Sequence, residues 1–394
     1  MSQGLPTLDA LEVAGQRVLL RLDLNVPLRD GEITDTTRID AALPTIRQLR
    51  EAGARVVICS HLGRPRSKRI PALSLEPVAA KLAELLDDEV VFAHDVVGDD
   101  VEFLSRDIPP GGVLVLENLR FDPGEKANDD DFAGKLARLG DVYVNDAFGT
   151  MHRAHASVVG VVSRFDHVAI GPLVDREITA LSKLLEGPAR PFIGVLGGAK
   201  VSDKIEVIES LLHRVDALVV GGAMAYTFLA AQDTPVGDSL VERERIRLAG
   251  RLLERCAARG VQVFLPTDHV VAESPESEEV QTVRAIEPGW KGFDIGPETV
   301  RRFSEIISRS STVFWNGPMG MFEDPRFAEG TRGVARAVAE AEAYTVVGGG
   351  DSAAALHQCG YADQVSHLST GGGASLEFIQ GKELPGIRAL RRRT

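Results

Sequence analysis

The first chemically informative feature of the chain is the run Leu196-Gly-Gly-Ala-Lys-Val-Ser-Asp-Lys204, which follows the apolar stretch 191–196. The apolar stretch predicts a strand, the two glycines a tight turn, and Ser202 and Asp203 the opening of a helix over 201–214. Backbone N–H groups exposed at such a turn attract phosphate, and a lysine adds a mobile positive charge. The spacing matches neither G-x-x-x-x-G-K-[ST] nor the dinucleotide motif G-x-G-x-x-G. The run alone therefore leaves open a tight turn with surface lysines.

A second informative set consists of arginines at or near the ends of predicted strands in the first half of the chain. They are Arg21, Arg38, Arg64, Arg120 and Arg153. Guanidinium groups bind carboxylate and phosphate through paired hydrogen bonds, and parallel strands bring their carboxyl ends to one edge of a sheet. A single arginine would ordinarily be a solvated surface charge, but five together predict a pocket for an anionic small molecule. Apart from Arg64, we expect the basic run 64–69 to be a solvated loop beside that pocket rather than a localisation signal.

Composition limits the class of protein. A chain of 394 residues is too long for one ordinary core, so two domains are expected. The net charge of −13 argues against nonspecific nucleic-acid binding. We found no apolar run long enough to cross a bilayer and no signal-peptide pattern, and we expect a cytoplasmic protein with no membrane partner. Cys59, Cys256 and Cys359 lie far apart and predict reduced, packed thiols rather than a disulfide framework or metal site.

Apolar strand-like runs alternate with amphipathic helical stretches throughout the chain. This pattern predicts an α/β fold of two doubly wound parallel-sheet (Rossmann-like) domains joined by a helical hinge. The predicted strands are 18–22, 55–60, 89–92, 113–116, 141–144, 191–196, 217–220, 261–265, 312–315 and 344–347. The predicted helices are 38–52, 75–86, 130–139, 201–214, 242–259, 299–310 and 327–341.

The predicted domain boundary is helical. Residues 175–186 look like a helix bracketed by Gly171-Pro172 and Gly187-Pro188. We therefore assign 1–170 to a first domain, 171–188 to a connecting helix and 189–375 to a second domain. A helical connection would transmit a hinge rotation instead of permitting free tumbling.

Further motifs recur at the ends of the predicted strands. They are Arg21-Leu-Asp-Leu-Asn-Val-Pro27, His61-Leu-Gly-Arg64, Glu117-Asn-Leu-Arg-Phe121, Asn145-Asp-Ala-Phe-Gly-Thr-Met-His-Arg-Ala-His155, Trp315-Asn-Gly-Pro-Met-Gly-Met-Phe-Glu323, Gly348-Gly-Gly-Asp-Ser352 and Ser369-Thr-Gly-Gly-Gly-Ala374. In this order and spacing the set resembles the phosphoglycerate kinase family over essentially the whole chain, from Val18 to residue 386.

The resemblance implies reversible phosphoryl transfer between 1,3-bisphosphoglycerate and ADP, giving 3-phosphoglycerate and ATP. It implies a phosphoglycerate site on the first domain, a nucleotide site on the second, and Mg²⁺ carried as MgADP or MgATP. Direct transfer would follow domain closure about 171–188 and the segment near Ser369. The resemblance also implies a monomer whose C-terminal segment, 376–394, packs back on the first domain.

Carried over residue by residue, the resemblance assigns a substrate set to the first domain. It comprises Asp23, Asn25, Arg38, His61, Arg64, Arg120 and Arg153. Asp23, Asn25 and His61 would hydrogen-bond the glycerate, and Arg38 would stabilise the transferring phosphoryl group. The other three arginines would bind the phosphate that is not transferred, and His152 and His155 would at most support them.

The resemblance assigns a nucleotide set to the second domain. It comprises Lys204, Gly292, Asn316, Pro318, Glu323, Gly349, Gly350, Asp351 and Ser352. Lys204 would bind the nucleotide phosphates, Asp351 the nucleotide-bound Mg²⁺ and Glu323 the ribose, while Gly292 and Pro318 would lie in segments lining the adenosine site.

The implied chemistry needs no general base, because a carboxylate or nucleotide phosphate acceptor is already ionised at neutral pH. Catalysis should then come from positioning and charge neutralisation. The catalytic candidates are Arg38, Lys200 and the helix N-termini at Gly350 and Gly373.

Two other readings compete with this one. Another α/β enzyme, such as a dehydrogenase or an acyl kinase of different fold, predicts phosphate motifs that the sequence lacks and leaves the arginines unexplained. A noncatalytic nucleotide- or anion-binding protein that retained the fold predicts loss of Arg38, Lys200 or Asp351, and all three are present.

Overall fold

The computed structural model describes residues 4–392, and the chain divides into two compact units. The first unit extends to Thr179 and resumes at Glu383, and the second is Ala180–Lys382. The division falls inside a helix, Pro172–Leu185, in the segment predicted to connect the domains. The predicted domain limits stay predictions, and residues 1–3 and 393–394, which they include, lie outside the described residues.

The first unit is built on a six-stranded parallel sheet. Its strands are β1 (Arg17–Arg21), β4 (Arg55–Cys59), β5 (Val90–Phe92), β6 (Val113–Val115), β7 (Val142–Asn145) and β8 (Val168–Ile170), with a separate hairpin of β2 (Leu28–Arg29) and β3 (Glu32–Ile33). Across the sheet the order is β5-β6-β4-β1-β7-β8. The strands that follow β1 are first added on one side of it and then, from β7 onward, on the other, so the strand order reverses between β1 and β7. Its helices are α1 (Thr37–Glu51), α2 (Glu76–Leu86), α3 (Asp99–Asp107), α4 (Pro123–Ala127), α5 (Asp130–Ala137), the start of α6 (Pro172–Leu185) and α14 (Pro385–Arg391).

The second unit contains another six-stranded parallel sheet and a small antiparallel one. The parallel strands are β9 (Phe192–Leu196), β10 (Ala217–Val220), β11 (Gln262–Phe264), β15 (Thr312–Asn316), β16 (Tyr344–Val347) and β17 (His367–Leu368), and the antiparallel strands are β12 (His269–Ala272), β13 (Gln281–Val283) and β14 (Lys291–Ile295). The parallel order β11-β10-β9-β15-β16-β17 is the dinucleotide-fold order, which reverses between β9 and β15. Its helices are α7 (Ile205–Leu211), α8 (Met224–Ala230), α9 (Ile246–Ala258), α10 (Pro297–Ser308), α11 (Glu329–Glu340), α12 (Gly350–Cys359) and α13 (Gly373–Ile379).

Burial explains why these sequences form these elements. Strand β1 is buried at nearly every residue, as expected of a central parallel strand covered on both faces. Helix α1 buries Ile39, Leu43, Ile46 and Leu49 along one face, and they join the core that includes alternate residues of β1. The apolar periodicity in the sequence therefore sets which face of each helix meets the sheet.

The structure confirms the predicted fold class and corrects several elements. The ten predicted strands are present, but the sequence did not predict helices α3, α4, α8 and α14, strands β8 and β17, the β2–β3 hairpin or the antiparallel sheet. The helix predicted over 201–214 is wrong at its start, because residues 201–204 form turns and α7 begins at Ile205. Within residues 4–392, no helix has the length and apolar character needed to span a membrane.

Gly171 provides a test of how tightly β7 and α6 are joined. A Cβ at this position would lie 2.3 Å from Cγ of the buried Asp146 side chain. We expect Gly171→Ala to lower the free energy of unfolding by about 1–3 kcal/mol through overpacking, measured by urea denaturation. The matched control is Gly250→Ala inside α9, where the nearest atom lies 3.9 Å away. That change should raise stability by about 0.5–1 kcal/mol, because alanine favours helix. Equal effects at both positions would contradict the steric argument.

Candidate functional site

Four polar loops leave the carboxyl edge of the first parallel sheet. Arg21 ends β1, His61 follows β4, Arg120 follows β6, and Asn145 ends β7. Strand β1 pairs with β4 on one side and β7 on the other, so these loops meet where the strand order reverses. Open parallel sheets bind ligands at this position.

A charged cluster surrounds the end of β1. Asp23 forms an ion pair with Arg38, which lies in the first turn of α1. Burial alone would raise the pKa of Asp23, but His61, Arg38 and Arg21 hold it below its ordinary value. Burial is the main cause that lowers the pKa of His61 well below its usual range; Asp23 opposes the shift, and the neighbouring arginines add to it. The cluster therefore contains an ionised Asp23 and a neutral His61 at neutral pH.

The loop carrying His61 is held by amide side chains. Asn118 donates from Nδ2 to the carbonyl of Leu62 at 2.7 Å, and its Oδ1 accepts from the Leu62 N–H at 3.2 Å. Asn25 Oδ1 accepts from the Gly63 N–H at 2.7 Å. The predicted ligand Asn25 thus has a structural partner, and Asn118, to which sequence reasoning gave no role, fixes the loop.

The three remaining arginines of the substrate set differ in burial. Arg120 is 6% exposed and donates to the Gly63 carbonyl at 2.6 Å, whereas its Nε has no partner among the described residues. Burial, with Arg153 and Arg21 nearby, lowers the pKa of Arg120 to about 10. Arg64 and Arg153 are exposed. This edge of the sheet therefore holds a concentration of positive charge that an anion would relieve.

Asp146 ties the same edge to two helices. Its side chain is 1% exposed and accepts from Thr45 Oγ1 on α1 and, at 3.0 Å, from the Val174 N–H at the start of α6. Burial raises the pKa of Asp146 despite these donors. The helix that carries Arg38 and the beginning of α6 thus share one anchoring carboxyl group, which no local sequence pattern indicated.

In the second unit, the glycine turn after β9 packs directly on the loop after β15. Gly197 N–H donates to the Asn316 carbonyl at 3.0 Å, and Gly198 N–H to the Pro318 carbonyl at 2.9 Å. A Cβ on residue 197 would lie 2.0 Å from the Pro318 carbonyl oxygen, so only glycine fits. Pro318 therefore lies beside the turn that sequence analysis singled out.

Lys204 and Asn316 form the centre of this half-site. Lys204 Nζ donates to Asn316 Oδ1, and Asn316 Nδ2 donates to the Gly348 carbonyl at 2.6 Å. Burial lowers the pKa of Lys204, while Asp203 and Asp351 oppose that shift. Ser202 was predicted to open a helix but instead binds Glu242, with Ser202 Oγ 2.7 Å from Oε1. This long-range contact holds 201–204 as turns.

The loop 349–352 presents a helix start beside Lys204. Gly349 has φ of +97°, and a Cβ there would lie 2.6 Å from Asn316 Nδ2. Ser352 is buried and its Oγ accepts from the Gly317 N–H at 2.6 Å, whereas Asp351 is exposed in the first turn of α12. A single exposed carboxylate suits Mg²⁺, which is commonly held by one or two carboxylates together with phosphate oxygens and water.

Four predicted residues lie outside these contact networks. Lys200 is exposed. Burial would raise the pKa of Glu242, but hydrogen bonds from Ser202 and Val201 lower it, and the charge of Lys200 contributes least. Glu323 and Gly373 are also exposed, the latter as the first residue of α13. Gly292 is in β14, where a Cβ would lie 1.9 Å from the Tyr226 hydroxyl oxygen.

A buried polar group lies beneath Gly292. Tyr226 and His269 rings lie 5.5 Å apart, and His269 Nδ1 has no hydrogen-bond partner among the described residues. Burial lowers the pKa of His269 to about 4, and it raises the pKa of the neighbouring Asp294 to about 7. Burial therefore favours the neutral form of both side chains within the small antiparallel sheet.

Comparisons with known proteins agree over nearly the whole chain. Residues 8–382 match the family described as Phosphoglycerate kinase. Phosphoglycerate kinase of Anaeromyxobacter dehalogenans (strain 2CP-1 / ATCC BAA-258) is 55% identical over 392 residues, which is 98% of this chain and 99% of that protein. That of Roseiflexus castenholzii is 54% identical over 389 residues, 98% of each. The solved structure of phosphoglycerate kinase from Coxiella burnetii is similar with a TM-score of 0.89 at 41% identity, covering 99% of both chains.

The pKa of His269 predicts a pH effect on stability. An unfolded histidine titrates near pH 6.5, whereas the folded one stays neutral to about pH 4, so the unfolded state binds more protons between these values. The contribution of His269 to stability is therefore fully present above pH 6.5 and is lost as the pH falls toward 4. We expect His269→Gln to remove about 2 kcal/mol of the loss between pH 7 and pH 5, measured by urea denaturation at both pH values. The exposed His213→Gln is the control, and an unchanged pH dependence in His269→Gln would contradict the assignment.

Proposed function

The chain belongs to the phosphoglycerate kinase family, and from this premise we propose that the two half-sites described above carry out its reaction. The protein is a glycolytic phosphotransferase that moves a phosphoryl group between 1,3-bisphosphoglycerate and ADP, giving 3-phosphoglycerate and ATP. The observation that carries the site assignment is the set of arginines at the carboxyl edge of the first sheet, with Arg120 and Arg21 buried there.

The first half-site binds 3-phosphoglycerate through complementary charge. Arg64, Arg120 and Arg153 bind the phosphate that is not transferred, because their guanidinium groups concentrate positive charge and form no ion pair with a carboxylate within residues 4–392. Asn25, His61 and Asp23 hydrogen-bond the glycerate hydroxyl and carboxylate region. Arg38 must loosen or share its ion pair with Asp23 to reach the reacting carboxylate.

The second half-site binds the nucleotide through backbone N–H groups and one lysine. Gly349, Gly350 and Ser352 place the start of α12 against the phosphates, and Lys204, positioned by Asn316, adds a positive charge. Asp351 would hold the Mg²⁺ ion carried by the nucleotide, and the ion would neutralise phosphate charge. Pro318, Glu323 and Gly292 complete the nucleotide set, with Glu323 toward the ribose and the other two in segments that line the adenosine site.

The transfer needs charge neutralisation rather than proton transfer. In the direction of 1,3-bisphosphoglycerate synthesis, a carboxylate oxygen of 3-phosphoglycerate bonds to the γ-phosphorus of ATP, and the bond to the bridging oxygen of ADP breaks. Arg38 and Lys200 stabilise the charge on the transferring group, and the helix N-termini at Gly350 and Gly373 contribute N–H donors.

Direct transfer requires the two half-sites to approach. We propose that the units close about helix α6 and the segment near Ser369 when both ligands are bound, and that closure excludes water and so prevents ATP hydrolysis. The protein would work as a cytoplasmic monomer on small anionic substrates. It would not bind nucleic acid, because its net charge of −13 opposes contact with another polyanion.

The activity is tested by coupling ATP and 3-phosphoglycerate consumption through glyceraldehyde-3-phosphate dehydrogenase to NADH oxidation. Turnover should require both substrates and Mg²⁺ and should stop when a chelator removes the metal. Folded protein that binds ADP but does not turn over would instead indicate a noncatalytic nucleotide-binding protein.

The catalytic assignment predicts distinct kinetic effects. Arg38→Ala and Lys200→Ala should each lower kcat by roughly 10²–10³, because each removes a preorganised charge. Arg64→Ala should mainly raise KM for 3-phosphoglycerate. The matched controls are Arg47→Ala, on the same helix as Arg38, and Lys135→Ala on α5, and both should keep wild-type kinetics. Near-wild-type kcat in Arg38→Ala and Lys200→Ala would remove both from the catalytic set.

A further inference from the structure

Arg21 is a buried cation with an unusual set of partners. Its side chain is 1% exposed. It donates hydrogen bonds to Ser157 Oγ at 3.0 Å, to the Leu22 carbonyl and, from Nη2, to His61 Nδ1 at 3.3 Å. These partners are a hydroxyl, a carbonyl and an imidazole rather than a carboxylate. Because a buried charge is costly without compensation, a carboxylate that reaches Arg21 through one of these partners would help to stabilise it, in addition to the nearby Asp23.

Ser157 connects Arg21 to that counter-charge. Its Oγ lies 2.7 Å from Glu125 Oε1, and Glu125 is fully buried. A hydroxyl has one proton, which it must donate to the ionised carboxylate, so its oxygen accepts from the Arg21 Nε–H. The three groups thus form a hydrogen-bond relay in which the guanidinium donates to the hydroxyl and the hydroxyl donates to the carboxylate.

Glu125 is rigidly placed and stays ionised. Its Oε2 accepts from the Ser157 N–H at 2.9 Å, and its Oε1 lies 3.6 Å from His155 Nδ1. Burial alone would raise the pKa of Glu125, but His155, Arg21 and Ser157 hold it below its ordinary value. Helix α4 carries Glu125, and the π-helical turn 156–160 carries Ser157, so two packed elements set the position of the hydrogen-bond relay.

Arg21, at the other end of this hydrogen-bond relay, determines the tautomer of His61. A guanidinium can only donate hydrogen bonds, so the Arg21 contact requires His61 Nδ1 to be an acceptor. The imidazole proton must then be on Nε2, which leaves an N–H donor for a ligand.

We propose that Glu125, acting through Ser157, is a positioning residue that orients Arg21 and thereby fixes the His61 tautomer that donates Nε2–H to the bound phosphoglycerate. The inference rests on the proposed function, because it assigns His61 and its supports to the phosphoglycerate half-site. It adds two residues, Glu125 and Ser157, that do not touch the substrate.

The test uses Glu125→Gln and Ser157→Ala in the full chain. Each should raise KM for 3-phosphoglycerate roughly tenfold or more, because each removes a charge-assisted hydrogen bond, while KM for ATP stays unchanged. In ¹⁵N NMR of histidine-labelled protein, the His61 ring should show one Nε2–H tautomer in the wild type and a mixture in both variants.

The matched control is Asn128→Ala. Asn128 Oδ1 accepts from the Gly160 N–H at 3.0 Å and so supports the turn that carries Ser157, but it is not part of the hydrogen-bond relay. It should leave the tautomer and both KM values unchanged even if it lowers the melting temperature. If Glu125→Gln fails to fold, Ser157→Ala decides the outcome alone. Wild-type turnover with an unchanged tautomer and KM in Ser157→Ala overturns the inference, whereas absence of turnover in the wild type overturns the proposed function itself.

Discussion

Burial of Arg21 and Arg120 at the carboxyl edge of a parallel sheet is the constraint on which the first half-site depends. Removing a guanidinium from water costs several kcal/mol, so the surrounding groups must offset it. Fixed carbonyls of Leu22 and Gly63 do so in part, and the carboxylates of Asp23 and Glu125 act nearby. None of these groups forms an ion pair with either buried arginine. The edge consequently keeps a preference for an added anion, which is what phosphoglycerate binding requires.

In the second unit, closely packed backbone rather than buried arginine shapes the half-site. Its glycine turn approaches the loop after β15 so closely that residue 197 cannot carry a Cβ, and Asn316 joins that loop to Lys204 and to Gly348. Backbone rich in exposed N–H groups suits a nucleotide, because these groups can donate hydrogen bonds to its phosphate oxygens. Both units place these groups where the strand order reverses, which is where open parallel sheets bind ligands.

The sequence predicted the parallel sheets well because their strands are continuous apolar runs ended by polar residues. It did not predict the antiparallel sheet, whose strands are short and include exposed residues such as Gln281. The start of α7 was wrong because Glu242, forty residues away in the sequence, holds Ser202 in a turn. The arginines of the proposed substrate set were visible as residue types at or near strand ends. Their supports, Asn118, Asp146 and Glu125, were not assigned, because their roles come from tertiary contacts that local patterns do not encode.

The central claim is that the two units bind the two substrates separately, each at the carboxyl edge of its own sheet. Hydrogen–deuterium exchange of the full chain with one ligand at a time tests this most directly. The account predicts that 3-phosphoglycerate protects residues 22–26, 61–64 and 119–121, and that MgADP protects 197–204 and 349–352. Protection of the second-unit segments by 3-phosphoglycerate alone, or of the first-unit segments by MgADP alone, would contradict it.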